Sequence, residues 1–300
     1  MRFSVWPNLS KPWDQVLAVA QHAAETGWDG VYVADHFMPN AADVSGPVME
    51  CWSAMAALAA AVPRVRLGTL VCGNTYRHPA VLAKIAAAVD VISDGRLVLG
   101  LGAGWQENEH AAYGIPFHTV GERLSLLDEA CAVVTGLLRN ERTTFDGRWY
   151  QLADAPCEPK PVNERLPLLI GGGGEKVTLR IAAQWADEWN VWGTPEVVRH
   201  KASVLDAHCE RLGRDPKAIA RSTQALLFLS DDHAWLDQRR SADIAMPTII
   251  GTVDEVRDTI GRYRDAGVDE LIVPDFTLGS ASRAIDTLDL FINEVVPDLR

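Results

Sequence analysis

The stretch Thr26-Gly27-Trp28-Asp29-Gly30-Val31-Tyr32-Val33-Ala34-Asp35 returns in form near the other end of the chain as Ala266-Gly267-Val268-Asp269-Glu270-Leu271-Ile272-Val273-Pro274-Asp275. Each copy reads as a helix stopped by glycine, a short joint, an apolar strand and an aspartate at the strand's C-terminal end. Strand character recurs in six further segments, giving eight: residues 2–6, 30–34, 65–71, 96–102, 167–171, 188–192, 222–229 and 270–274. Between them the apolar residues fall at helical spacing, as in Val16, Leu17, Ala20, Ala23, Ala24 and again in Leu82, Ala83, Ile85, Ala86, Val89. Strand and helix in strict alternation make a parallel sheet. Eight such units, with strands apolar along their whole length because both faces are buried, predict a (β/α)8 TIM barrel over 1–300 as one domain. A doubly wound open sheet is the competing arrangement.

Two segments exceed what a plain barrel needs. Residues 105–138, after the fourth strand, read as a loop and long helix forming a lid over the barrel mouth. Residues 140–162, before the fifth, contain Thr143-Thr144-Phe145-Asp146-Gly147-Arg148-Trp149-Tyr150 and read as a small hairpin around an Asp-Gly turn. No low-complexity linker separates two domains.

The chain carries 28 basic and 40 acidic side chains, a net charge of −12, which argues against a nucleic-acid surface. The five cysteines Cys51, Cys72, Cys131, Cys157 and Cys209 form no C-x-x-C pair and are expected to be reduced thiols of a cytoplasmic protein. The apolar run from Ala54 is stopped by Pro63, well short of the roughly 20 residues of a membrane span. Pro7 likewise interrupts the N-terminal run, so neither a signal peptide nor membrane association is expected.

In a barrel, chemistry sits at the C-terminal ends of the strands. Asp35 and His36 follow the second strand there. Without a His-x-His pair or a carboxylate cluster at other strand ends, a metal site is disfavoured. Gly100-Leu101-Gly102-Ala103-Gly104-Trp105 and Gly171-Gly172-Gly173-Gly174-Glu175-Lys176 follow the fourth and fifth strands. Four glycines opening a helix suit close approach of backbone N–H groups to a phosphate. The spacing does not match G-x-G-x-x-G after a first strand, so a Rossmann site is excluded. Arg77, Lys176 and Arg180 are candidate anion partners for an otherwise acidic protein. Glu107, Glu109 and His110 read as residues of a helix N-terminus, where carboxylates are stabilising in any case. Trp6 and Trp192 at strand ends and Trp105 in the lid are candidate contacts to an aromatic ligand.

Taken together, Ala34-Asp35-His36-Phe37, Leu67-Gly68-Thr69-Leu70-Val71, Tyr76-Arg77-His78-Pro79-Ala80, the run from Ile92 through Gly104-Trp105, Ala112-Tyr113-Gly114-Ile115-Pro116-Phe117 and Leu169-Ile170-Gly171-Gly172-Gly173-Gly174 resemble the luciferase-like monooxygenase family over nearly the whole chain. Within it the compact length and Asp-His-Phe most resemble the coenzyme F420-dependent oxidoreductases. The resemblance implies an oxidoreductase that passes hydride between F420 and a small organic substrate. Its alternatives are a monooxygenase using reduced FMN from a partner flavin reductase, and a non-catalytic flavin-binding barrel. It further implies a homodimer, a bulge at Leu70-Val71 behind the cofactor ring, and cofactor contacts at Asp35, Gly73, Ala103, Gly104, Asn108, Gly172, Gly173 and Gly174, next to the Lys176 already read as an anion partner. The sugar-phosphate dehydrogenase members carry a tryptophan and a glutamate where this chain has Asn40 and Trp105, which speaks against glucose-6-phosphate. Proton transfer then falls to His36, with Trp105 shaping an apolar pocket and no second protonating group beside it.

Overall fold

A computed structural model describes residues Met1–Arg300. Its strands are β1 (Arg2–Trp6), β2 (Gly30–Val33), β3 (Arg66–Thr69), β4 (Cys72–Gly73), β5 (Leu97–Gly102), β6 (Thr143–Asp146), β7 (Gln151–Ala155), β8 (Leu168–Gly171), β9 (Glu188–Trp192), β10 (Ala220–Gln224), β11 (Leu226–Leu229), β12 (Thr248–Gly251) and β13 (Glu270–Pro274). Its helices are α1 (Trp13–Glu25), α2 (Cys51–Ala61), α3 (Pro79–Ser93), α4 (Glu107–Tyr113), α5 (Val120–Arg139), α6 (Thr178–Trp185), α7 (Pro195–Arg211), α8 (His233–Arg240), α9 (Val253–Asp265) and α10 (Ala281–Leu290).

Eight strands close a parallel barrel in the order β3, β2, β1, β13, β10, β9, β8, β5, with β5 returning to β3. Each of the eight segments read from the sequence supplies one barrel strand, so the (β/α)8 architecture holds and the open sheet does not. Two were drawn too long. Residues 65–71 break after Thr69 at a cis Leu70–Val71 peptide, beyond which β4 pairs with β5. Residues 222–229 leave the barrel at Ala225, and β11 pairs in parallel with β12, a strand the sequence reading did not register. The lid also divides in two: α4 sits at the mouth, whereas α5 packs against α3 and α6 in the outer ring. The α5 start is fixed by a capping box between Thr119 and Glu122. The β6–β7 hairpin forms as expected, its turn held by the Glu129 carboxylate accepting from the N–H groups of Arg148, Trp149 and Tyr150.

Apolar packing is concentrated between barrel and helices, in a cluster of 72 buried residues, whereas only six apolar residues form the inner cluster: Trp6, Tyr32, Leu70, Val98, Leu169 and Ile272. Ala34, Val71 and Trp192 pack against it, and polar side chains fill the layer below. At the barrel's N-terminal end, Arg66 donates to Glu270 at 2.9 Å and pairs closely with Glu188, Arg2 donates to Glu270 at 3.1 Å, and Ser4 donates to Glu270 at 2.5 Å. The Tyr32 ring crosses this layer, and a Cβ at Gly68 would collide with it, which is why that position carries no side chain. Apolar filling at mid-height and ion pairs below close the barrel as a solid support for its C-terminal rim.

Candidate active site

The echoed aspartates end β2 and β13, as their sequence context requires, but neither stands open at the mouth. Asp35, 1% exposed, receives two hydrogen bonds from the Arg77 guanidinium at 2.6 and 3.1 Å, and Arg77 continues to Glu50 at 2.6 Å. Asp275 holds Lys11 at 2.8 Å and accepts the Asn8 N–H at 2.9 Å. Burial raises both carboxyls above their ordinary range despite these partners. Both aspartates therefore latch rim loops. Arg77, placed just ahead of α3 by the Pro79 start and the His78 cap, is committed to Asp35 and unavailable to an anion. Arg180 is likewise committed, to Asp128 at 2.8 Å.

His36, the next residue, is held differently. Its Nδ1 lies 2.8 Å from Oε1 of Glu109, whose Oε2 accepts the Phe37 N–H at 2.8 Å. The Tyr76 hydroxyl donates closely to the same Oε1. Nε2 makes no hydrogen bond within the protein, the imidazole remains partly exposed, and the Trp105 ring stands edge-on to it at 5.5 Å. Glu109 is fully buried. Burial alone would raise its carboxyl, but the hydrogen bonds from His36, Phe37 and Tyr76 outweigh that and hold it below the usual carboxylate range. The reading of Glu109 as an ordinary helix-start carboxylate is thus corrected: held ionised, it is a hydrogen-bond acceptor for His36 and not a second protonating group. Nothing local marked it: α4 brings Glu109 to a histidine 73 positions away.

The glycine loops serve two purposes. Gly102 and Gly171 make room for the Val71 side chain, which a Cβ at either would meet at 2.8 to 2.9 Å. Gly104 and Gly172 take positive φ of 80° and 129°. Beyond them the N–H groups of Gly173, Gly174, Glu175 and Lys176 find no acceptor in the protein. The helix itself starts only at Thr178, one turn later than the sequence suggested, because Glu175 is tied back to Lys201 at 2.6 Å and His200 at 3.0 Å. Lys176 is exposed and unpaired, so this loop offers N–H donors and one free ammonium. Ala103 lines the same rim, half-buried, whereas Gly73 is buried against the Tyr76 ring and Asn108 is spent on the Pro39 carbonyl and the Glu109 N–H.

Among the candidate substrate residues, Trp6 packs on Trp192 (6.0 Å) and Phe276 (5.0 Å) at the end of β1, the strand paired with the one that leads to His36. Trp105 is 60% exposed and Asn40 lies exposed in the loop after Phe37. A residue the sequence reading passed over is Gln224 at the end of β10, in register with Trp192 and Ile272. It is 2% exposed and its side-chain oxygen has no partner. A donor group from a bound molecule or a water would satisfy that oxygen.

The profile of the luciferase-like monooxygenase family matches residues 1–244. An F420-dependent glucose-6-phosphate dehydrogenase of Kineococcus radiotolerans is 33% identical over 220 residues, 72% of this chain and 64% of that protein. An F420-dependent hydroxymycolic acid dehydrogenase of Mycobacterium tuberculosis is 28% identical over 274 residues, covering 89% and 72%. The chain thus spans slightly less than two thirds of the first of these. Among solved structures, an F420-dependent secondary alcohol dehydrogenase in complex with an F420-acetone adduct superposes with a TM-score of 0.87 at 20% identity, covering 100% of this chain and 99% of the other.

Proposed function

The chain belongs to the luciferase-like monooxygenase family, and from that premise we propose that it is an oxidoreductase passing hydride between coenzyme F420 and a small, uncharged organic substrate. The observation that carries this reading is the open Nε2 of His36, set by Glu109 at one side of a rim whose other side presents unpaired N–H groups from Gly173 to Lys176. Those donors and the Lys176 ammonium fit a phosphodiester, and Gln224 fits a ring N–H or hydroxyl. Leu70 and Val71 would support the ring from beneath, with Ala103, Gly104 and Gly172 around it; Asp35 contributes by fixing the loop that carries Arg77. When bound, F420 supplies a ring carbon that accepts or returns hydride without activating oxygen.

The chain's own part is proton handling. As substrate C–H gives up hydride, its hydroxyl proton passes to His36 Nε2; in the reverse direction Nε2–H returns it to the substrate oxygen. Trp6 and Trp192 supply apolar surface inside the rim, and Trp105 stands at its edge against His36. Arg77, Arg180, Lys11 and Lys201 are each paired with a carboxylate, so none of the four is available to a phosphorylated sugar, which favours a neutral substrate. The names of the similar dehydrogenases and the uncommitted loop favour F420 over FMN with a partner reductase. A homodimer follows from the same resemblance, and the five cysteines, all free and buried, support a reducing cytoplasmic setting.

Titrating the purified protein with F420 and with FMN while following ring fluorescence tests the assignment. Saturable F420 binding is expected, and tight FMN binding with no F420 binding would overturn it. Replacing Gly173 by valine adds a Cβ that meets Val191 at 3.0 Å and blocks approach to the neighbouring N–H groups. Affinity for F420 should fall by about tenfold or more, on the scale of one or two lost charge-assisted hydrogen bonds. Unchanged affinity would place the phosphate elsewhere.

A further inference from the structure

We propose that Glu109 is a positioning residue that fixes His36 as the Nδ1–H tautomer and so leaves the Nε2 lone pair as the ring's only open proton acceptor. The inference rests on the reading of His36 as the proton carrier and adds what makes it competent. An ionised carboxylate can only accept hydrogen bonds. Glu109 is buried among three neighbours, the Phe37 N–H, the Tyr76 hydroxyl and Nδ1 of His36. The first is obligatorily a donor, and the second remains a protonated phenol, its pKa raised by burial and by Glu109 itself. At 2.8 Å from the same oxygen as the phenol, Nδ1 must carry the remaining proton.

The hold is a two-point clamp. One carboxylate binds the ring of His36 and the backbone of the residue that follows it, so the side-chain torsions of His36 are tied to the end of β2. The other groups around the ring do not compete for Nδ1: Asp35 is engaged by Arg77, Arg77 by Asp35 and Glu50, and Trp105 offers only its edge. Glu109 thus acts through His36 and not on substrate.

The ring state can be read without cofactor or substrate. In the apo protein labelled with 15N-histidine, two-bond 1H–15N correlations distinguish the tautomers, and the His36 signals are those lost in His36→Gln. The parent should show Nδ1–H. In Glu109→Gln the single remaining amide oxygen is claimed by the Phe37 N–H, which turns the amide NH2 toward Nδ1; the ring should switch to Nε2–H. Turnover should fall by roughly 100-fold, on the scale of a lost orienting carboxylate, with F420 affinity unchanged, and Glu109→Asp should recover the parental tautomer. An Nε2–H ring in the parent would overturn the proposal even if Glu109→Gln failed to fold. So would parental turnover in a folded Glu109→Gln. An Nδ1–H ring in a protein that binds FMN and not F420 would leave the clamp standing and overturn only the cofactor assignment.

Discussion

In a His36→Ala variant, turnover is expected to drop by about 100-fold or more, about 2.7 kcal/mol of transition-state stabilisation, while F420 affinity stays within a few-fold of the parent. The partition follows from where the atoms stand. Nε2 is the ring nitrogen left without a partner beside the rim, whereas the candidate cofactor donors belong to a different loop, from Gly173 to Lys176. Alanine also removes one of the three donors to the buried Glu109 carboxylate, so some stability is lost with it. The sign of that loss is set by the carboxyl being held below its ordinary value. Its contribution is full at neutral pH and disappears as pH falls through the depressed value, so the stability gap between parent and variant should close on acidification. His36→Asn separates the two effects, since its amide can still donate to Glu109 yet carries no transferable proton. Equal turnover loss in both variants, by stopped assays under saturating cofactor, is the expected result. Survival of turnover with collapse of cofactor affinity would make His36 a binding residue.

The barrel could be read from sequence because its determinants are local. Continuous apolar runs such as Leu97–Gly102, and helices stopped by Gly27 and Gly267, declare themselves within about ten residues. The rim could be read only where the backbone does the work, as at Gly171 to Gly174. Where side chains converge from distant segments it could not. Arg77 looked available to an anion because its partner Asp35 lies 42 positions upstream, and Glu109 looked like any carboxylate in a first helical turn. Gln224 was invisible for a third reason: strand periodicity says which way a residue faces, not whether its amide will find a partner. The exit of β11 from the barrel was missed because residues 222–229 are continuously buried, and a buried run does not announce that its pairing partner has changed.

Replacing Arg66 by methionine should cost about 3 kcal/mol or more of folding stability at neutral pH, the scale for breaking a buried ion pair by deleting one partner. Methionine matches the aliphatic volume, so the loss reports charge and not a cavity. Arg66 is the partner that binds both acids directly, through Glu270 at 2.9 Å and a close contact to Glu188. Arg2 remains, at 3.0 Å from Glu270 but only 3.7 Å from Glu188, so Glu188 is left the more exposed to the penalty. In the parent, burial already raises the Glu188 carboxyl above its ordinary value, with Arg66 the main force pulling it back. Without Arg66 the value must rise further. An acid whose folded-state pKa lies above its unfolded value opposes folding at higher pH, and the opposition is relieved as pH falls through the folded value. The deficit of Arg66→Met should therefore be largest near pH 8 and shrink toward pH 5, the same direction as for His36→Ala but from relief of a buried charge and not from loss of an interaction in the parent. Urea denaturation at the two pH values checks it. A pH-independent deficit would mean that Glu188 is already protonated beside Arg66, and that the network at the base of the barrel works by hydrogen bonding and not by charge.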